Sequence, residues 1–154
     1  MIIESKFLTS GEVMRELGVP TPGREGNYMG FWIPQDSIAK AIPAIPRRVY
    51  CNRQLIPLLD KAFSDVIACG YAEDILTWDG CFNVRTQRGA QQAMSLHSWG
   101  LAIDINAAWN QFHSKPTMHQ MIVTCFERNG FDWGGRFTKP DGMHFQISRA
   151  AFLG

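Results

Sequence analysis

Two short segments that alternate between apolar and polar side chains constrain the fold of this chain more than any other feature. Residues 101–106 read Leu-Ala-Ile-Asp-Ile-Asn, and residues 143–147 read Met-His-Phe-Gln-Ile. Because successive side chains of a strand point to opposite faces, each segment predicts a strand with an apolar face for a core. The opposite faces carry Ala102, Asp104 and Asn106 in one strand, and His144 and Gln146 in the other. If the two strands pair, Asp104 and His144 meet across the sheet.

Apolar residues at helical spacing predict three helices around these strands. The first covers Ser10–Leu17, where Thr9 and Glu12 form a capping-box pattern and Gly18 follows the end. The second begins near Leu55 and ends at Gly70, and the third covers about residues 117–129.

The segments between the helices complete the fold prediction. Residues 20–46 are rich in Pro and Gly and predict a long ordered excursion, with extended pieces around residues 31–33 and 49–51. Residues 75–78 and 81–85 resemble strands, and the Asp79-Gly80 dipeptide between them is typical of a β-hairpin. This order predicts one domain over residues 1–154 with an α+β fold, in which helices pack on one side of a small antiparallel sheet.

Composition excludes several classes of function. The formal net charge is +1 and no long run of one sign occurs, so we expect no nucleic-acid partner. The N-terminus lacks a secretory signal pattern, and apolar stretches are far shorter than the roughly 20 residues of a membrane span. We therefore expect cytoplasmic synthesis without a signal peptide and no stable membrane insertion. The cysteines are widely spaced, which favours reduced thiols over a disulfide framework or a Cys-based metal site.

Two of the four histidines stand near carboxylates in glycine-containing segments. His97 precedes Asp104, and Asp141 lies just before His144. A catalytic zinc site uses three ligands from His, Asp or Glu and leaves a position for water, while a further carboxylate moves the proton. His97, Asp104 and His144 offer such a ligand set, and Asp141 offers the further carboxylate.

Each of these residues also has a simpler explanation when it is taken alone. A histidine on a polar strand face is usually a surface or hydrogen-bonded residue. Asp104 inside an apolar strand is explained equally well by a salt bridge to an arginine, and Asp141-Gly142 by a turn. The combination of the four residues is what favours a metal site.

The ordered motifs resemble those of the M15 zinc peptidases, which include D-alanyl-D-alanine carboxypeptidases and the L-alanyl-D-glutamate endopeptidases of phage endolysins. The motifs are Ser-x-His-x-x-Gly-x-Ala-x-Asp at residues 95–104, Trp-Gly-Gly at 133–135 and Asp-x-x-His-Phe at 141–145. Upstream, residues 80–85 are similar to the family's Gly-x-x-x-x-Arg stretch. The resemblance spans about residues 79–146, nearly half of the chain. Many members have Glu where this chain has Asp141.

The resemblance implies a hedgehog/DD-peptidase-like fold and a role for each matched residue. His97, Asp104 and His144 would bind Zn²⁺, and Asp141 would be the general base. Arg85 would stabilise the developing oxyanion, with Arg88 as the rival for that role. Other residues are expected to be structural: Ser95 as a cap or a hydrogen-bonding partner, Trp99 and Trp133 as core or as a substrate-groove wall, and His113 and His119 as residues that match no family ligand.

The function expected from the resemblance is zinc-dependent hydrolysis of a peptide bond in peptidoglycan stem peptides. An L-alanyl-D-glutamate endopeptidase of the phage endolysin type is favoured, and a D-alanyl-D-alanine carboxypeptidase comes next. Such a bacteriolytic enzyme would be a monomer that reaches its substrate in the periplasm or cell wall after membrane permeabilisation. Two alternatives stay open: a catalytically inactive, zinc-stabilised binding module or phage structural module, and a metallohydrolase of another amide.

Overall fold

The computed structural model describes residues 6–85 and 94–154, which form helices around two antiparallel sheets. The helices in these ranges are α1 (Ser10–Leu17), α2 (Asp36–Ala41), α3 (Leu55–Ala68), α4 (Gln120–Glu127) and α5 (Arg149–Leu153). The strands are β1 (Met29–Trp32), β2 (Val49–Asn52), β3 (Trp78–Gly80), β4 (Ala102–Ile105), β5 (Phe131–Trp133) and β6 (His144–Ile147). None of the described helices is long and apolar enough to cross a membrane.

The larger sheet has the strand order β3-β4-β6-β5, and every neighbouring pair is antiparallel. Strands β4 and β6 lie at its centre, and Asp104 is directly opposite His144 in their register. The two segments thus pair, and Asp104 and His144 meet across the sheet as expected for that pairing. Strands β1 and β2 form a separate two-stranded sheet.

The apolar face of the larger sheet packs against α3 and α4. The Phe126 ring of α4 lies 4.5 Å from that of Phe145 in β6 and 5.1 Å from that of Phe131 in β5. On its other side, Phe126 contacts Phe63 of α3 at 5.2 Å. These side chains are fully buried, and each buried side chain of this size contributes about 1.5–3 kcal/mol to folding. The α+β class with helices on the sheet is confirmed.

The polar face of the sheet is also covered, although a polar strand face usually meets solvent. Asp104, His144 and Gln146 are all buried. The segment before α1 covers part of this face, since Gln146 Nε2 donates to the Leu8 carbonyl at 3.4 Å. A short 3-10 helix, Leu96–Trp99, brings the His97 ring to the same face.

The hairpin predicted at Asp79-Gly80 is wrong, because both residues lie inside β3, which pairs with β4. Asp79 is used elsewhere: its Oδ2 accepts from the Ala107 amide at 2.9 Å and from the Thr77 hydroxyl at 2.7 Å. Residues 81–85 form no strand. They bond instead to the segment around the 3-10 helix, where Asn83 N donates to the His97 carbonyl.

The other helices and strands differ from the prediction mainly at their ends. Helix α1 has the predicted bounds and capping box. Helix α4 begins at Gln120 rather than near residue 117, because Asn110 Oδ1 accepts from the amides of Thr117 and Met118 and holds them outside the helix. The segment of residues 20–46 contains helix α2, which was not predicted because the segment has no helical spacing of apolar residues.

An ion pair fastens α1 to α5. Arg149 Nε and Nη2 donate to the two Glu12 carboxylate oxygens at 2.9 and 2.7 Å, and Glu12 Oε1 also accepts from the Thr9 amide. The Arg149 hydrogen bond is the main reason that the pKa of Glu12 falls to about 2, against the opposing effect of burial. The carboxylate is therefore ionised over nearly the whole pH range.

We expect Glu12→Gln to destabilise the fold by about 1 kcal/mol at pH 7, because it removes the charge from a cap and an ion pair. A lowered folded-state pKa contributes stability above the unfolded value near 4.5 and loses it as the pH falls towards 2. The difference from wild type in urea unfolding should thus shrink across this window. Glu16→Gln, an exposed change in the same helix, serves as the control. A difference that is constant from pH 7 to pH 2 would contradict the ion-pair account.

Candidate metal centre

Three separate elements bring His97, Asp104 and His144 together. His97 lies in the 3-10 helix Leu96–Trp99, Asp104 in β4 and His144 in β6. All three side chains are nearly closed to solvent, with exposed fractions of 2%, 6% and 6%. They form one of the groups in the described part of the chain that could hold a metal ion.

Local backbone geometry aims the His97 ring at the two strands. Ser95 Oγ accepts from the His97 amide at 3.2 Å and caps the 3-10 helix. Gly100 ends that helix with a φ of +67°, and a Cβ there would lie 2.7 Å from the Asn52 amide nitrogen. Only glycine tolerates both conditions, which explains why a glycine lies between the histidine and the strand of the aspartate.

The three side chains meet at nearly equal distances. His97 Nε2 lies 3.2 Å from Asp104 Oδ1, His144 Nδ1 lies 3.2 Å from His97 Nε2, and His144 Nδ1 lies 3.4 Å from Asp104 Oδ1. Ligands about 2.0–2.1 Å from a tetrahedral Zn²⁺ are separated by about 3.3–3.4 Å. The triangle therefore has the dimensions of one face of a zinc coordination tetrahedron.

Hydrogen bonds on the outer sides of the rings fix where the histidine protons reside. His97 Nδ1 lies 2.6 Å from the Cys81 carbonyl, which can only accept, so Nδ1 carries the proton. His144 Nε2 lies 2.9 Å from Gln146 Oε1, so Nε2 donates as well. In neutral imidazoles, His97 Nε2 and His144 Nδ1 are then acceptors. Together with Asp104 Oδ1 they form three converging acceptors, an arrangement that either a proton or a metal ion would satisfy.

The pKa values of Asp104 and His144 are both shifted in the direction that favours their charged forms. Burial would raise the pKa of Asp104, but hydrogen bonds and charges from His144 and His97 in their protonated forms outweigh it and hold that pKa well below its usual range. Burial would likewise lower the pKa of His144, but the hydrogen bond and charge of Asp104, and then the charge of Asp141, raise it. The carboxylate is therefore ionised and ready to bind a metal.

Asp141 lies in the turn that enters β6, where its backbone is held on several sides. Its amide donates to the Gly134 carbonyl at 2.9 Å, and the His144 amide donates to the Asp141 carbonyl at 3.1 Å. A Cβ at Gly134 would lie 2.4 Å from the Asp141 carbonyl oxygen, which explains the glycine after Trp133. The Trp133 indole donates to the Gly142 carbonyl at 2.9 Å. The Asp141 charge acts on the His144 ring, so this carboxylate stands beside the cluster.

Arg85 lies at the rim of the cluster. Its Nη2 is 4.0 Å from Asp104 Oδ2, and the side chain is 26% exposed. That separation is too long for a hydrogen bond, so the guanidinium is not the main partner of Asp104. The Arg85 backbone is fixed by Ser98, whose Oγ accepts from the Arg85 amide and donates to its carbonyl, both at 3.0 Å. The rival residue Arg88 lies outside the described residues.

The remaining predicted residues have structural contacts. Trp99 and Trp133 are buried, and the Trp99 indole donates to the Gly18 carbonyl at 2.9 Å; both tryptophans belong to the core rather than to a groove wall. His113 is exposed with a left-handed φ of +67°. His119 is exposed, caps α4 by accepting from the Met121 amide, and packs against the Tyr71 ring at a tilted angle. Neither histidine belongs to the cluster.

Two supporting groups were not identified from the sequence. Alternation along the strand predicts that Gln146 and His144 lie on the same polar face. That pattern could have indicated their contact, but the sequence alone assigns Gln146 no role in the site. The Cys81 carbonyl that bonds His97 is a backbone atom, so no residue type could have indicated it.

One comparison with known proteins covers the segment that contains the cluster. A family model described as D-alanyl-D-alanine carboxypeptidase matches residues 88–147. The matched segment contains His97, Asp104, Asp141 and His144 and ends at the last residue of β6. A search of curated proteins finds no match.

We expect the His97→Ala variant to lose a bound divalent metal, because only two of the three ligand atoms would remain. After equilibrium dialysis against zinc, elemental analysis should give less than about a tenth of the wild-type metal content. His113→Asn is the matched control: it removes an exposed imidazole, and Asn tolerates the left-handed backbone at that position. A folded His97→Ala variant with one metal per chain would contradict the ligand set.

Proposed function

We propose that the chain is a zinc-dependent peptidase of bacterial peptidoglycan and belongs to the M15 peptidases, a proposal supported by the family model that matches residues 88–147. Its substrate would be a peptide bond in the stem peptides. Members of this family are peptidases of peptidoglycan-type substrates; the metal, the bond and the place of action are our proposal. We propose that it acts in the periplasm or cell wall.

One observation carries the proposal: three acceptor atoms converge 3.2–3.4 Å apart with an ionised carboxylate among them. An inert structural cluster of two histidines and an aspartate would be satisfied by a hydrogen bond between its members. In their neutral forms, both histidines use their protons on outer partners, so three inner acceptor atoms remain that a metal ion would satisfy. Two imidazoles and one carboxylate are a donor set that suits Zn²⁺ in a catalytic site.

The neighbouring residues supply the remaining chemistry of peptide hydrolysis. Zinc, when bound, would act as the Lewis acid that polarises the scissile carbonyl and makes water nucleophilic. Asp141 would accept the proton of the attacking water and pass it to the leaving amine as the C–N bond breaks. Arg85 would donate to the carbonyl oxygen as negative charge develops on it.

Within this class of reaction we favour the L-alanyl-D-glutamate endopeptidase, with the D-alanyl-D-alanine carboxypeptidase next. A carboxypeptidase needs a cation for the terminal carboxylate of its substrate in addition to a donor for the oxyanion. Among the described residues, Arg85 is the one Lys or Arg side chain within 4.0 Å of Asp104. Arg85 at the rim supplies such a donor for the oxyanion, which is what an endopeptidase needs.

Digestion of purified peptidoglycan, followed by mass spectrometry of the released fragments, tests the proposal. We expect new amino termini at D-glutamate, and we expect a zinc chelator to abolish their release. Free D-alanine instead would assign the same site to a carboxypeptidase. No cleavage by a sample that contains stoichiometric zinc would overturn the enzymatic proposal and favour an inactive binding module.

We further expect Asp141→Asn to lower kcat by about 10²- to 10⁴-fold, because the amide cannot accept the proton, while zinc content stays at the wild-type level. Asp36→Asn, an exposed change in the first turn of α2, is the control and should leave kcat unchanged. Wild-type turnover by the Asp141→Asn enzyme would remove Asp141 from the mechanism.

A further inference from the structure

A second cluster of reactive side chains lies between α3 and α4. Asp65 and Cys69 come from the end of α3, and Cys125 comes from α4. A carboxylate oxygen and the two Sγ atoms all lie within 4.8 Å of one another. This side of the sheet is opposite to the face that carries Asp104 and His144, so the cluster takes no part in the proposed peptidase site.

The cluster already contains its cation, which is the Arg128 guanidinium. Arg128 Nε and Nη2 each lie 2.5 Å from an oxygen of Asp65, and Asn129 Nδ2 donates to Asp65 Oδ2 at 2.9 Å. Arg128 Nη2 also lies 3.4 Å from Cys69 Sγ and 4.0 Å from Cys125 Sγ. A metal ion would have to displace a bidentate ion pair, so the carboxylate is not available as a ligand. The groups of the cluster that can still react are the neighbouring thiols of Cys69 and Cys125.

The two thiols differ in accessibility. Cys69 is partly exposed at the C-terminal cap of α3, directly before Gly70, whose φ is +85°. Cys125 is buried, and burial, followed by the hydrogen bond with Cys69, raises the pKa of its thiol to about 11. A reagent in solution therefore meets Cys69 first.

We propose that Cys69 and Cys125 are a disulfide site, which closes when the protein meets a small-molecule disulfide oxidant. The Cys69 thiolate attacks the disulfide RSSR, forms a mixed disulfide and releases one RS⁻. The Cys125 thiolate then attacks Cys69 Sγ, forms the protein disulfide and releases the second RS⁻. The two protein thiols give up two electrons to the oxidant, and their two protons go to the two released thiolates, which leave as RSH.

The bond would join the end of α3 to α4 across the segment that contains Arg85, His97 and Asp104. A cross-link that closes so long a loop lowers the entropy of the unfolded chain. The Arg128–Asp65 ion pair already holds this part of the two helices together, with the two sulfur atoms within 4.8 Å of each other. The reduced protein would be the less stable form, and the oxidised protein would be suited to an environment without cellular reductants.

The test compares the full chain in reduced and oxidised glutathione. We expect the oxidised sample to contain one Cys69–Cys125 cross-linked peptide and two remaining free thiols, and its Tm to rise by about 5 °C or more over that of the reduced sample. Cys69→Ser, which changes a partly exposed position at a helix end, should abolish both the cross-link and the Tm difference. Cys51→Ala removes a buried thiol outside the cluster and should preserve both.

Three outcomes would overturn the proposal. Four free thiols in the oxidised wild-type protein would show that the pair does not close. A cross-link between Cys51 and Cys81 would assign the oxidation to other residues. A second equivalent of bound zinc that disappears in Cys69→Ser would make the cluster a metal site despite Arg128.

Discussion

The antiparallel pairing of β4 with β6 is the constraint on which the rest of the site depends. Because side chains alternate along a strand, a shift of one residue in this register would turn His144 towards α4 and bring Phe145 to the polar face. The register is held by the apolar side, where Phe145 packs against Phe126. Thus the burial of an aromatic side chain on one face of the sheet determines the position of a metal-ligand candidate on the other.

Pairing alone would bring the side chains together without orienting them, and the orientation comes from groups outside the cluster. The Cys81 carbonyl and Gln146 each hold the outer nitrogen of one imidazole. Gln146 is held in turn by the Leu8 carbonyl, so the segment before α1 supports a ring that lies far along the chain. Such outer partners commonly set metal affinity by 10- to 100-fold, which is why the covered polar face matters for chemistry as well as for packing.

The sequence predicted those features that depend on local periodicity or on a local cap. Alternation was enough to place Asp104 and His144 on the polar faces of their strands, although not to establish that the strands pair, and the capping box at Thr9 was enough to place α1. The Asp79-Gly80 hairpin failed because Asp79 bonds the Ala107 amide, a partner distant in sequence that no local pattern reveals. The burial of the polar face could not be predicted for the same reason. It depends on the backbone carbonyls of Leu8 and Cys81, which are distant in sequence from the side chains that they contact.

The two carboxylate clusters show how one chain separates a structural site from a candidate metal site. Asp65 receives a bidentate guanidinium from Arg128 at 2.5 Å, and its charge is neutralised within the protein. Asp104 has Arg85 only at 4.0 Å, while its close neighbours are two imidazole nitrogens whose protons point away from it. A buried carboxylate without a close counter-charge is costly. Under the proposed function, a bound metal ion would supply this counter-charge, and the position of Arg85 at the rim, 4.0 Å from Asp104, is compatible with that ion.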